Sequence, residues 1–218
     1  MANIREVFPG VFKIDGKYAT LSLAPGTKVY GENLVKNGGK EYRVWDPKRS
    51  KLGAALVKGL KSLAIKPGSS VLYLGSANGT TASHVSDIVG ETGKVYCVEF
   101  SSQSMRDLLM VCEHRANMYP VLADARLPDQ YSEVKKVDVI FEDVADREQT
   151  NILLRNLLAF KAKSFLIAIK SRCIDSTANP RVVYNQEKAK ISKVANVKEL
   201  IILDPFEIDH CMITGESK

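Results

Sequence analysis

The chain has 218 residues, of which 45% are apolar and 26% are charged, a balance typical of a folded domain rather than a disordered chain. The 31 lysines and arginines exceed the 25 acids, and the net charge of +6 has the sign expected of a protein that binds phosphate groups. We find no C-x-x-C pair, no apolar run of the ~18 residues that cross a bilayer and no secretory signal, so we expect a cytoplasmic protein without a metal site or membrane segment.

Residues 1–46 are predicted to form a small β-rich subdomain. Short apolar pieces there alternate with four turn signals, at Pro9-Gly10, Asp15-Gly16, Pro25-Gly26 and Gly38-Gly39. From residue 47 the apolar residues recur at steps of three and four, which predicts a helix that ends at residues 66–68, Lys-Pro-Gly. We therefore expect a domain boundary between residues 46 and 47.

The second domain, residues 47–218, repeats a strand, a loop and a helix. Near-continuous apolar runs predict strands at 71–74, 94–100, 120–122, 137–143 and 164–170. This alternation is typical of a parallel sheet with crossover helices, an α/β fold of the Rossmann-like kind. A helix over about 182–194 and two antiparallel strands, 200–204 and 210–215, are predicted to complete the chain.

The loop after the first of these strands predicts a cofactor site. Residues 75–81 read Gly-Ser-Ala-Asn-Gly-Thr-Thr and lead into a helix, which directs backbone N–H groups toward the carboxyl edge of the sheet. Only Gly75 matches the G-x-G-x-x-G dinucleotide pattern, because Ala77 and Thr80 stand at the other two glycine positions. The loop thus disfavours a pyrophosphate, and a plain strand-to-helix turn is the alternative.

Further candidate contacts follow the ends of the next two strands. Glu99 stands where a carboxylate accepts hydrogen bonds from the two ribose hydroxyls of a nucleotide cofactor, and Phe100 offers a ring for an adenine. Asp124 and Ala125 offer a carboxylate and a backbone amide to the adenine edge. Because open α/β sheets bind ligands at this edge, we expect these residues to surround one cofactor.

The sequence, including these residues, resembles the fibrillarin-like 2′-O-methyltransferases. Members of that family act on ribosomal RNA, and on transfer RNA in some organisms, within box C/D guide ribonucleoproteins. The resemblance covers nearly the whole chain in the family's order, through YRVWDPKRSKLGAAL (42–56), VLYLGSANGTTASHVSDIVG (71–90), VYCVEF (95–100), VDVIFEDVA (137–145), IAIKSRCIDSTA (167–178) and Asp209-His210. The short start, without a Gly/Arg-rich tail, is similar to the archaeal form.

The resemblance implies S-adenosylmethionine as the cofactor. The contacts that it implies come from Gly75, Ala77, Thr80, Thr81, Glu99, Phe100, Asp124, Ala125, Asp143, Val144, Ala145 and Asp146. The chain departs from the family at Asp146, where glutamine is common.

The resemblance also implies a catalytic set of Lys51, Asp143, Lys170 and His210. Chemistry supports such a set, because a ribose 2′-hydroxyl is a poor nucleophile that needs alignment and a proton acceptor. We expect Lys170, at the end of an apolar strand, to be the base or to align the hydroxyl, with Asp143 orienting it. Lys51 is expected to contact phosphate or hold the set together, and His210 to relay a proton or shape the pocket. A surface lysine at Lys170 and a helix cap at Asp143 are the structural alternatives.

RNA is expected to bind through phosphate contacts from Arg43, Lys48, Arg49 and Arg172. The sequence has no RNA-recognition or K-homology signature, so base selection must come from elsewhere. The resemblance implies that a guide RNA selects the nucleotide, with a Nop-family scaffold protein and a kink-turn-binding protein as partners. Two other interpretations stay open: an NAD-type oxidoreductase, and a non-catalytic RNA-binding scaffold of the same fold.

Overall fold

The computed structural model describes residues 3–218, which form two β-sheets and six helices in that range. The first sheet is antiparallel and uses the strands β1 (Ile4–Phe8), β2 (Val11–Ile14), β3 (Lys17–Leu21), β4 (Leu34–Asn37) and β5 (Lys40–Val44). They lie in the order β1-β2-β3-β5-β4, joined by tight hairpins at the predicted glycine turns. The prediction of a small β-rich unit at the start of the chain is confirmed.

The second sheet has seven strands and carries helices on both faces. Its strands are β6 (Ser70–Leu74), β7 (Lys94–Glu99), β8 (Met118–Leu122), β9 (Val139–Glu142), β10 (Ser164–Lys170), β11 (Ala195–Ile202) and β12 (His210–Ser217). The helices are α1 (Lys51–Val57), α2 (Thr80–Val89), α3 (Ser102–Cys112), α4 (Gln149–Phe160), α5 (Ser171–Ile174) and α6 (Pro180–Ser192). The strand order is β11-β12-β10-β9-β6-β7-β8.

The directions of these strands confirm the Rossmann-like prediction. Strands β10, β9, β6, β7 and β8 are parallel, and β12 lies antiparallel between β10 and β11. Because the strands β6, β9 and β10 are buried on both faces, their sequences are almost entirely apolar. Their carboxyl ends meet at one edge, where the predicted site residues are found.

The predicted helix over residues 47–66 is wrong in extent. Helix α1 starts after Ser50, whose hydroxyl accepts a hydrogen bond from the Gly53 N–H, and it ends at Val57. Gly59 then takes a left-handed backbone conformation, with φ of 93°, which terminates the helix. The apolar spacing beyond it reflects an irregular segment whose Leu60 and Ile65 pack into the core.

A buried ionic cluster joins the first sheet to helix α2. Both nitrogens at the end of Arg43 are paired, with Glu32 at 2.6 Å and with Asp87 at 2.8 Å. Asp87 also pairs with Arg115 at 2.6 Å, and all four side chains are almost fully buried. The proposed domain boundary at residue 46 is therefore crossed by strong contacts.

No helix within residues 3–218 is long and apolar enough to cross a membrane.

Candidate active site

A cavity of about 430 Å³ lies at the carboxyl edge of the second sheet, between the ends of β6, β7, β8, β9 and β10. Eleven of the residues predicted for the site line it: Gly75, Ala77, Glu99, Phe100, Asp124, Ala125, Asp143, Val144, Ala145, Asp146 and Lys170. Its lining also includes residues that the sequence did not single out, among them Ser101, Ser104 and Arg126. The strand ends thus bring together segments that are up to 95 residues apart in the chain, from Gly75 to Lys170.

Gly75 lets the loop after β6 lie directly against the segment after β9. A Cβ atom at this position would be 2.9 Å from the Asp143 carbonyl oxygen, and the φ of 77° is one that side chains disfavour. Glycine is therefore required here for backbone contact between the loop and Asp143. This contact sets one wall of the cavity.

Glu99 is buried and held in place by two backbone groups. One carboxylate oxygen accepts a hydrogen bond from the Ala77 N–H at 2.9 Å, and the other accepts one from the Ser101 N–H at 2.8 Å. A carboxylate has about four acceptor positions, so each oxygen retains capacity for a ribose hydroxyl. The side chain lines the cavity beside Phe100, whose ring is 77% exposed. Both residues fit the adenosine part of S-adenosylmethionine.

The carboxylate of Asp124 is occupied by a neighbour that the sequence did not identify. Arg126 donates to both of its oxygens, at distances between 2.6 and 3.0 Å. The hydrogen bonds from Arg126 lower the pKa of Asp124 below its usual value, so it stays ionised. An adenine must therefore share this carboxylate with Arg126 or use the backbone beside it.

Thr80 and Thr81 do not line the cavity. The hydroxyl of Thr80 donates to the Asn78 side chain at 3.1 Å, and that of Thr81 donates to the Ser50 hydroxyl at 2.9 Å. Both residues are at least nine-tenths buried at the start of α2. In this geometry they hold the loop and helix α1 together instead of facing a ligand.

Asp143 is the centre of the charged group at the bottom of the site. Its carboxylate lies 3.0 Å from the ammonium nitrogen of Lys170 and 3.2 Å from that of Lys51. Lys170 also donates to the Asp143 carbonyl oxygen at 2.9 Å. All three side chains are only 13–16% exposed. Burial raises the pKa of the adjacent Glu142 well above its usual value, so Glu142 adds no negative charge behind Asp143.

The electrostatic surroundings of Lys51 favour its charged form. Burial favours the neutral amine, but the charges of Asp143 and Glu207 and the hydrogen bond to Asp143 together outweigh burial and raise the pKa of Lys51 above its usual value. Lys51 therefore remains a cation at neutral pH, which suits a role in attracting phosphate or holding Asp143 and not a role as a base.

His210 is the direct partner of Lys170 across the antiparallel β10–β12 ladder. Its Nδ1 lies 2.6 Å from the Ile208 carbonyl oxygen, so Nδ1 carries the proton and donates it. Burial lowers the pKa of His210 below its usual value, which favours the neutral ring. The Nε2 atom is then an acceptor for a proton.

Gln149 is a functional residue that sequence reasoning missed. It is fully buried at the first position of α4, and its amide oxygen accepts a hydrogen bond from the Lys170 N–H at 2.9 Å. Its amide nitrogen donates to the carbonyls of Asp146 at 2.7 Å and of Lys170 at 3.2 Å. In the sequence, Gln149 could have been noticed only as a polar residue close to the Asp143–Asp146 segment.

The candidate RNA contacts fall into two groups. Lys48, Arg49 and Arg172 are exposed, and Arg172 is held by the Asp209 carboxylate at 2.8 Å. The expectation for Arg43 is wrong: its side chain is 0% exposed and both of its ion pairs are internal. Burial against α2 prevents any contact between Arg43 and a phosphate.

Comparison with known proteins places this chain among proteins of one family. A family model described as Fibrillarin matches residues 2–218. A relative from Pyrococcus furiosus, named fibrillarin-like rRNA/tRNA 2′-O-methyltransferase, is 51% identical over an alignment of 216 positions that covers 95% of this chain and 95% of the relative.

Two solved structures are similar along the whole chain. Aeropyrum pernix fibrillarin in complex with natively bound S-adenosyl-L-methionine is 43% identical with a TM-score of 0.87, over 99% of this chain and 100% of that one. The fibrillarin of a fibrillarin/Nop5p complex is 36% identical with a TM-score of 0.90, over 98% of this chain and 100% of that one. From the family match and the identities, we conclude that this chain belongs to the fibrillarin family.

Proposed function

We propose that this protein transfers the methyl group of S-adenosylmethionine to ribose 2′-hydroxyls of ribosomal RNA, and of transfer RNA, at positions selected by a box C/D guide RNA. The observation that carries this proposal is the ion pair of Asp143 and Lys170 in the wall of a cavity suited to that cofactor, with Lys51 paired to Asp143 from outside the cavity lining. The Pyrococcus furiosus relative bears the name of this activity, and the Aeropyrum pernix relative holds this cofactor.

The residues that we expect to hold the cofactor line the cavity. Glu99 would accept from the ribose hydroxyls, Phe100 would cover the adenine, and the segment from Asp143 to Asp146 would hold the methionine end. When bound there, S-adenosylmethionine supplies an electrophilic methyl group on a sulfonium. The sequence of the loop after β6 argues against an NAD-type oxidoreductase, since Ala77 and Thr80 replace two glycines of the dinucleotide pattern.

The charged side chains of Lys51, Asp143 and Lys170 would together prepare the ribose hydroxyl for methyl transfer. Lys170 lies on the cavity wall and is placed to hold the 2′-oxygen in line with the methyl group. Asp143 fixes Lys170 through two contacts, and the cationic Lys51 balances the charge of Asp143. The proton of the hydroxyl would pass to Nε2 of His210, the partner of Lys170 across the ladder, or to Lys170 itself after the ammonium of Lys170 has lost a proton to solvent.

The partners follow from the same proposal. A Nop-family scaffold protein is assigned because a similar fibrillarin is solved in complex with Nop5p. Guide RNA and a kink-turn-binding protein would supply base selection, and Lys48, Arg49 and Arg172 would meet the target's phosphates. We place this assembly in the cytoplasm, where the ribosomal RNA of an archaeal-type cell is made.

The test follows labelled methyl from S-adenosylmethionine into a guide-paired RNA in the complex with the scaffold and kink-turn-binding proteins. The matched control target carries a single 2′-deoxy nucleotide at the selected position. We expect transfer to the natural target and none to the control. Equal labelling of both targets would exclude the 2′-oxygen as acceptor, and no labelling in an assembled, cofactor-bound complex would favour the non-catalytic scaffold.

A further inference from the structure

A basic surface separate from the cofactor cavity lies at the free edge of the seven-stranded sheet. An open groove of about 700 Å³ runs along β11, and we call it the β11 groove. Four cationic side chains line it, Lys58, Lys61, Arg181 and Lys198, and all four are exposed. They come from the end of α1, the segment after it, the first turn of α6 and β11. The region around the end of α1, the start of α6 and strand β11 therefore all direct positive charge to one groove.

Most of this charge is not neutralised by the protein. Within residues 3–218, Lys58, Lys61 and Arg181 have no carboxylate within 4 Å, while Lys198 pairs with Glu216 at 3.0 Å. The groove's lining also holds two acids, Asp204 and Glu199, and Glu199 accepts hydrogen bonds from the backbone N–H groups of Lys61 and Ser62, so four cations face two carboxylates. Unpaired cations around one groove favour an anionic ligand.

Protection of the sheet edge does not explain the groove. An edge strand commonly carries lysine to prevent pairing with another chain, and Lys198 on β11 fits that purpose. Lys58, Lys61 and Arg181 do not belong to the edge strand, so the protective role leaves them unexplained.

The groove is close to the reacting centre. Lys58 caps the end of α1, and Lys51 stands at its beginning, so the helix places them about 10 Å apart along its axis at about 1.5 Å per residue. At the other end of the groove, the Asp204 carboxylate accepts from the N–H of Asp209, the residue before His210.

We propose that the β11 groove binds the sugar-phosphate backbone of the RNA duplex that contains the modified nucleotide, close to that nucleotide. This inference rests on the proposed function, because a guide-paired target must leave the active site as a duplex over some face of the enzyme. The contacts are to phosphates, so they position the duplex and carry no base preference.

The test compares the wild-type chain with the triple variant K58Q/K61Q/R181Q. The matched control, K36Q/K40Q/K135Q, removes the same charge from exposed lysines elsewhere. Anisotropy of a labelled blunt RNA duplex, titrated with the full chain at several salt concentrations, gives the salt dependence of binding. For the groove variant we expect a slope of log K against log salt that is smaller by about 2 to 3, and an affinity about tenfold lower. For the control variant we expect the wild-type slope.

A second readout uses methyl transfer in the complete complex. The groove variant should raise KM for the guide-paired target about tenfold while leaving kcat and S-adenosylmethionine affinity unchanged. Equal slopes for the groove and control variants would overturn the inference. So would normal duplex binding combined with loss of scaffold binding, since that result would make the groove a surface for an acidic protein. The duplex titration needs no turnover, so failure of the proposed methyl transfer would be seen separately.

Discussion

The ammonium nitrogen of Lys170 lies 3.0 Å from the carboxylate of Asp143 and 2.9 Å from the carbonyl oxygen of the same residue. These two contacts fix the end of the long lysine side chain, which otherwise has high rotamer freedom. The backbone of Lys170 is fixed as well, by the amide of Gln149. The side chain is thus preorganised at the wall of the cofactor cavity before RNA binds.

Glu99→Ala is expected to weaken S-adenosylmethionine binding by about 1 to 3 kcal/mol, which is about 5- to 150-fold in Kd, because hydrogen bonds to a charged group are lost. The N–H groups of Ala77 and Ser101 also lose their acceptor, which loosens the loop. Calorimetry with Glu91→Ala as an exposed control measures the effect. Unchanged affinity would remove Glu99 from the ribose site.

Gln149→Met is expected to lower kcat at least tenfold, because it keeps the volume of the side chain but releases the backbone of Lys170. It should also cost about 1 to 3 kcal/mol of unfolding free energy, since buried backbone groups lose their partners. Rate measurements on fully folded protein separate the two effects. Asn117→Ala, which removes a buried amide that bonds only to Ser86 and Gly90, should lower stability and leave kcat unchanged. Equal kcat values for both variants would make Gln149 merely structural.

Arg43→Met is expected to destabilise the fold by about 3 to 5 kcal/mol, because it leaves the buried carboxylate of Glu32 without a cation and that of Asp87 with Arg115 alone. Its effect on the KM for RNA should be absent at temperatures where the variant is folded, since the side chain does not reach the surface. Arg49→Met should show the opposite pattern, with little loss of stability and weaker RNA binding. Denaturant unfolding and RNA titration of both variants test whether Arg43 acts in stability and Arg49 in RNA binding. A stable Arg43 variant with impaired RNA binding would contradict it.

Much of the fold and of the cofactor cavity could be predicted because both depend on local order along the chain. Apolar runs marked the parallel strands, and the residue after each strand, such as Gly75 or Asp143, necessarily lies at the carboxyl edge. Glu99 was identified from its place at the end of β7 in the same way.

The features that could not be predicted depend on side-chain contacts and backbone conformations that spacing along the chain does not specify. Arg43 is buried because Asp87, 44 residues later, meets it from α2. Gln149 reaches Lys170 across 21 residues, and Arg126 covers Asp124 by a side-chain geometry that spacing does not specify. The end of α1 depended on the backbone conformation of Gly59, which overrides an apolar pattern that continues past it.

The central claim is that Lys170 prepares the ribose 2′-oxygen, and single-turnover transfer by Lys170→Ala and Lys170→Arg in the assembled complex tests it most directly. Arginine keeps the positive charge but cannot act as a proton acceptor, so it separates charge from proton transfer. We predict that Lys170→Ala abolishes transfer while S-adenosylmethionine still binds, and that Lys170→Arg does not restore the wild-type rate. Full turnover by Lys170→Ala in a complex with bound RNA and cofactor would contradict the account.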